Sequence, residues 1–378
     1  MGRSTNKGVY TQHAPLEVEM SKRLSEVFDM ARFPLILLVL FIHVLPFDRV
    51  LIKPELTARN AYTFFTEMIS HTLGEIAVPC FFIISGYYFF NKLENSPNIS
   101  WYANQWKKRF YSLCLPYIIW NACLIAAILV KNYLFDKIGL GHDVFHKQIK
   151  ETSWHVLLWT HPINFPLWYI RDLICMTLLT PLFYILFRYT KHIGLLFIAV
   201  TYISTYDTNI PGISMTAIFY FGIGAYLGIN KLNLLVLTRR IKTSSYYIAT
   251  LLLILATALN GRQAHEFIVR LFIPFGIISF LNILNTLANN TSIKNNLSAM
   301  AIPVFWIYVT HEIYILNWIK GFWHEIVNES PFIWNWIAYL TTPIVTLLCC
   351  LSLYLFTKRY FPRILAFSTG NRIYSREK

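Results

Sequence analysis

Apolar residues in this chain run on in long stretches, separated by polar or Pro/Gly-marked breaks. A helix that crosses a bilayer needs about 20 mostly apolar residues. The pattern predicts about ten such segments, over 27–47, 68–90, 110–130, 166–187, 193–206, 212–229, 246–260, 267–287, 301–319 and 333–356. The fifth, sixth and seventh are short for a full crossing. The expected fold is therefore all-α, a polytopic membrane helix bundle of about ten transmembrane helices. A membrane domain over 27–357 is flanked by a polar segment, 1–26, and a basic tail, 358–378. No apolar stretch precedes a small-residue cleavage site near the N-terminus, so no cleaved signal peptide is expected. The loops between spans are too short for a separate extracellular domain.

Composition agrees with this reading. Of the 378 residues 56% are hydrophobic and 14% charged, whereas a soluble domain carries about 25% charged residues. The net charge of +14 would suit nucleic acid, but the cations sit between the apolar runs. With the N-terminus inside, 22 Lys and Arg fall in cytoplasmic segments and nine in outer ones, with Arg171 and Arg270 inside spans. That asymmetry places both termini in the cytoplasm and removes the reason to expect a nucleic-acid partner. All six cysteines lie within apolar stretches and read as small buried hydrophobes. His142 and His146 have i, i+4 spacing but no third ligand nearby, so no metal is expected. Walker-type phosphate loops and a GxSxG nucleophile elbow are absent. FYFGIGAYLG and Ser85-Gly86 read as close helix packing.

Charged groups inside a bilayer are costly, so each is a functional candidate. In the first run, ARFPLILLVLFIH separates Arg32 from His43 by ten residues. Eleven helical steps of about 100° bring both to one face, about 16 Å apart along the axis. Arg32 would lie near the cytoplasmic boundary, with His43 past mid-depth toward the outside. A cation at one end could hold an anionic donor and a titratable imidazole at the other could move a proton. Pro34 kinks this helix or marks its regular start.

Glu67, His71 and Glu75 form a stripe at i, i+4, i+8 in the second run, with Glu67 bordering the outer loop. Lys107, Lys108 and Arg109 stand at the cytoplasmic entrance to the third, a topology signal that would also suit the phosphates of a large anion. Asn121 continues the polar face there. Arg171 and Asp172 enter the fourth run from outside. As neighbours about 100° apart on a helix they are expected to find separate partners, which His71 or Glu75 would supply. His311 and Glu312 lie near mid-membrane in the ninth run, and Arg270 is a weaker member of the set.

Taken in order, these features resemble the bacterial integral-membrane acyltransferase family 3. Arg32 and His43 match its Arg-ten-residues-His motif, and VPCFFIISGYYFF at 78–90 is similar to its second-span motif. KKRFYSLCLPY, PLWYIRDL and IYVTHE complete the series. Phe33-Pro34 stand where the family often has Gly after the Arg, a departure that touches local helix geometry.

The resemblance implies a ten-span core in the bacterial inner membrane that uses acyl-CoA, usually acetyl-CoA, as co-substrate, with no permanently bound cofactor. The acceptor would be a hydroxyl of a cell-surface polysaccharide, glycolipid or lipid-linked sugar. It makes Arg32 and His43, and only these two, the essential pair; read from the residues themselves, Arg32 with Lys107, Lys108 and Arg109 would pair with the donor phosphates. His71, Glu75, Arg171, Asp172, His311 and Glu312 would then line an outer cavity supporting His43 and the acceptor. Buried charges in a many-span protein also mark transport pathways, so a transporter or flippase of a lipid-linked sugar is the alternative. A structural envelope subunit has little use for so many intramembrane ionisable groups.

Overall fold

Backbone N–H and C=O groups in hydrocarbon find no water, so an apolar run satisfies them within itself by forming a helix. Helix is what the apolar runs form, and no strand occurs among the described residues. The computed structural model describes residues 13–44, 52, 55–93, 96–139, 144–328 and 330–370. Arg3, Lys7, Arg49, Lys53, His142 and the tail cations Arg372, Arg376 and Lys378 lie outside them.

The chain opens with helix α1, His13–His43, followed by α2, Ala58–Phe90, and α3, Ile99–Lys137. Next come α4, Phe165–Leu178, and α5, Thr180–Thr190, bent 58° at Leu179, then the shorter α6, His192–Ile203, and α7, Met215–Ile229. The C-terminal half holds α8, Arg239–Ala258, α9, His265–Leu287, and α10, Thr291–Met300. It continues with α11, Val304–Thr310, a π turn His311–Leu316, and α12, Asn317–Asn328. Helix α13, Ile333–Tyr360, and α14, Pro362–Ser368, finish it.

Five of these helices, α2, α3, α8, α9 and α13, are long and apolar enough to cross a membrane, and α4 with α5 makes a sixth if the bent pair is one span. The short runs expected at 193–206 and 212–229 fall on α6 and α7, whose 12 and 15 residues reach only about 18 and 22 Å. Helix α1 is 31 residues long and continuous through Pro34.

Helix α1 is central: beyond Arg32 it is apolar all round as far as Ile42, and the charged half before it still buries one face. Leu24, Val27, Phe28, Met30, Ala31, Leu35, Ile36 and Leu40 are fully buried, and neighbours come from α2, α9, α10, α11 and α13. Helices α2 and α7 cross backbone to backbone, as small residues in both motifs allow. A Cβ on Gly224 would meet the carbonyl oxygen of Ile83 and stand 2.7 Å from the nitrogen of Tyr87. Neither obstacle is a flexible side chain, so Gly224→Ala is expected to destabilise by about 1–3 kcal/mol or to prevent correct packing. Gly321, with nothing within 4 Å of an added Cβ, is the control. Thermal unfolding in detergent should show a lowered Tm for Gly224→Ala and an unchanged one for Gly321→Ala.

Candidate functional site

Four positions on α1 recur at helical spacing on one face: Arg32, Ile36, Val39 and His43. The first three line a cavity of about 330 Å³. Helix α2 supplies Val78, Phe81, Ser85 and Tyr88 to the facing wall, α3 supplies Arg109 and Ser112, and α4 and α11 supply Tyr169 and Tyr308. Polar groups gather where Arg32, Tyr88, Arg109 and Ser112 lie, and the lining becomes apolar along α1 toward Val39. Arg32 is steadied by Asp29, whose Oδ1 lies 3.3 Å from Nε. The Arg109 guanidinium lies over the Phe89 ring, 5.8 Å from its centroid. The cavity is thus cationic at one end and greasy in its depth.

His43 is the next position on the stripe. Its Nδ1 lies 3.0 Å from Oε2 of Glu312, an ion-pair distance without hydrogen-bond alignment, and the carboxylate's charge favours a proton on this nearer ring nitrogen. The Nε2 lone pair of His43 is then the basic position. The ring stands edge-on to Phe165 at 5.9 Å and 5.2 Å from the His311 ring, centroid to centroid. His311 is fully buried, and its Nδ1 faces the carbonyl oxygens of Ile307 at 3.1 Å and Tyr308 at 2.9 Å. Only a protonated Nδ1 satisfies two carbonyls, so His311 Nε2 is also left with its lone pair. That nitrogen lies 3.9 Å from Glu312 Oε2. Both His311 and Glu312 open the π turn, whose wider winding presents two successive side chains to α1. Such π segments recur at functional sites.

Among the described residues His43, His311 and Glu312 also form a group whose ligand atoms lie within 4.8 Å of one another. A metal ion would find donors there. The Lys320 ammonium, 3.2 Å from the main-chain oxygen of His43, places a positive charge nearby that opposes a further one.

The other expected site residues are engaged elsewhere. Arg171 and Asp172 correct the expectation of separate partners: Arg171 Nε and Nη2 lie 3.0 and 2.8 Å from Asp172 Oδ1. Arg171 also donates to the carbonyls of Trp159 and Thr160, and Ser214 donates to Asp172 Oδ2 at 2.8 Å. The guanidinium is long enough to bend back to its neighbour, and the result is a buried clamp joining α4, the preceding loop and the start of α7. His71 bonds to Glu67 at 2.8 Å, and Glu67 also accepts from Asn260. Glu75 lies one turn on, within electrostatic reach of His71, Tyr202 and Tyr220. Arg270 pairs with Glu266. Lys107 borders a separate recess of about 260 Å³ and Lys108 is exposed, so Arg109 alone of the three reaches the cavity. The sequence reading missed Tyr308, Phe165 and Lys320. Tyr308 lies three residues before His311, a helical spacing that could have found it.

Comparison with known proteins identifies the family. The succinoglycan biosynthesis protein ExoH of Rhizobium meliloti (strain 1021) is 24% identical over 364 residues, covering 93% of this chain and 94% of that protein. No solved structure matches the chain. A family model described as an acyltransferase domain, of acyltransferase family 3, matches residues 26–355. That match runs from the turn before Arg32 to past the His43, His311 and Glu312 cluster, and the chain belongs to the membrane acyltransferase family 3.

Proposed function

We propose that the chain moves an acyl group, acetyl in the first instance, from cytoplasmic acyl-CoA to a hydroxyl of a cell-surface polysaccharide, glycolipid or lipid-linked sugar. It does so as a ten-span protein of the bacterial inner membrane with both termini in the cytoplasm. The observation that carries this reading is one continuous face of α1, cationic where Arg32 and Arg109 flank the cavity and ending at the His43–Glu312 pair. The name of the ExoH relative, a succinoglycan biosynthesis protein, supports a polysaccharide as the acceptor class.

In this reading Arg32 and Arg109 pair with donor phosphates by charge-assisted hydrogen bonds, and the uncharged arm lies along Ile36 and Val39. The thioester comes up to His43. Nε2 takes the proton of the acceptor hydroxyl as its oxygen attacks the thioester carbon. The carbon–sulfur bond then breaks, and the thiolate recovers that proton to leave as free CoA, with an ester formed on the acceptor. Glu312 steadies the imidazolium that exists between the two transfers.

Two measurements test this. Purified protein in proteoliposomes should release CoA thiol from acetyl-CoA only when supplied with a de-esterified polysaccharide and lipid-linked sugar fraction of the source organism. In binding titrations Arg32→Ala and Arg109→Ala should each weaken acetyl-CoA about 10- to 100-fold, the range for one charge-assisted bond. Lys108→Ala, on the exposed surface, should leave affinity within about twofold.

A further inference from the structure

Helices α4 and α11 run past the cavity as α1 does. Along α4 the lining residues Leu173, Ile170 and Tyr169 lead back to Phe165, its first residue. Along α11 Val304, Phe305 and Tyr308 lead on to His311. Three helices thus leave the donor cavity at one end, and their next side chains meet there. The His43 ring lies 5.9 Å from Phe165 and 5.2 Å from His311, centroid to centroid. These two neighbours differ in exposure: His311 is fully buried, whereas Phe165 is 56% exposed. An accessible phenyl ring therefore stands beside the imidazole, at the end away from Arg32 and Arg109.

The segment that carries Phe165 is held from several sides. The main-chain N–H of Asn164 donates to Asn121 Oδ1, and the Asn164 side-chain amide donates to the carbonyl of Val309, both at 3.3 Å. Tyr308 donates its hydroxyl to the carbonyl of Pro166, and Arg171 donates to those of Trp159 and Thr160 at 2.9 and 2.8 Å. Asn121, Asn164, Arg171 and Tyr308 are all buried. Polar side chains are costly inside a membrane domain, and a satisfied network of them makes a segment rigid. A phenylalanine that merely faced lipid needs no such bracing, whereas a surface that presents a substrate to a base does.

We infer that Phe165 is the platform on which a sugar ring of the acceptor stacks, so that a hydroxyl on the rim of that ring reaches His43. The inference rests on the proposed acyl transfer and narrows what is recognised in the acceptor to the sugar itself. A sugar ring has a face made largely of C–H groups, which packs on an aromatic face, while its equatorial hydroxyls project from the rim. The donor reaches His43 through the cavity and the sugar from the opposite end, so the two substrates do not compete for one space.

The test uses full-length protein in proteoliposomes, with acetyl-CoA as donor and the de-esterified polysaccharide and lipid-linked sugar fraction as acceptor. Phe165→Leu keeps an apolar side chain and loses the flat face. It should raise the KM for acceptor about tenfold or more, with the KM for acetyl-CoA and the rise in Tm on adding acetyl-CoA unchanged. Phe165→Trp and Phe165→Tyr restore a face and should keep the acceptor KM within about threefold. A packing or lipid-facing role would not separate Leu from Trp in this way. An unchanged acceptor KM for Phe165→Leu, equal losses in the Leu and Trp variants, or a matching rise in the KM for acetyl-CoA would each overturn the inference while leaving acyl transfer standing. Absence of transfer by the unmodified protein would overturn both.

Discussion

Replacing His43 by alanine is expected to lower acyl transfer by about 10³-fold while acetyl-CoA still binds with unchanged affinity. The two effects separate because the stripe on α1 is divided by depth. Arg32, Ile36 and Val39 line the cavity, whereas His43 lies beyond it with its ring against Phe165, His311 and Glu312. Removing the imidazole removes the proton acceptor and leaves the donor's phosphate contacts in place. Single-turnover release of CoA thiol measures the first effect and an acetyl-CoA titration the second. Retention of transfer by His43→Ala would place the chemistry at another group.

Glu312→Gln should lower kcat by about 10²-fold or more with little change in the KM for donor. The substitution keeps the size of the side chain but replaces a carboxylate, which only accepts, by an amide that can donate. At 3.0 Å from Nδ1 the amide nitrogen can turn to the ring and favour the tautomer with its proton on Nε2, the wrong one for a base. Charge stabilisation of the imidazolium is lost at the same time. Glu312→Asp keeps the charge on a shorter arm and should fall between the two. Equal rates for Glu312→Gln and unmodified protein would show that the carboxylate does not set the tautomer.

Much of the candidate site's arrangement is legible in the sequence. Helical period alone put Arg32 and His43 on one face, and α1 runs unbroken between them, so the spacing carried through. His311 and Glu312 stood out because two ionisable neighbours deep in an apolar run are hard to bury for packing alone. Their partner was not legible. His43 and Glu312 meet across a separation that no local period encodes, and the π turn at 311–316 that aims both side chains at α1 leaves no composition signal. Arg171 and Asp172 were misjudged because Cα directions ignore the reach of a guanidinium. Lys108 and Arg109 are adjacent and equally basic, so only the winding of α3 against α2 decides which one enters the cavity. Lys320 read as one more outer-loop cation, since nothing near it in sequence marks it as the neighbour of His43.

The most direct measurement is thermal unfolding of the purified protein with acetyl-CoA, free CoA or ATP. A ligand that binds only the folded state adds about 2.7 kcal/mol at 100 times its Kd. Acetyl-CoA and CoA are expected to raise the Tm of the unmodified protein and of His43→Ala alike, with Arg32→Ala shifted less and ATP ineffective. A well-folded sample that no CoA compound stabilises would contradict the donor site and favour transport of a lipid-linked sugar.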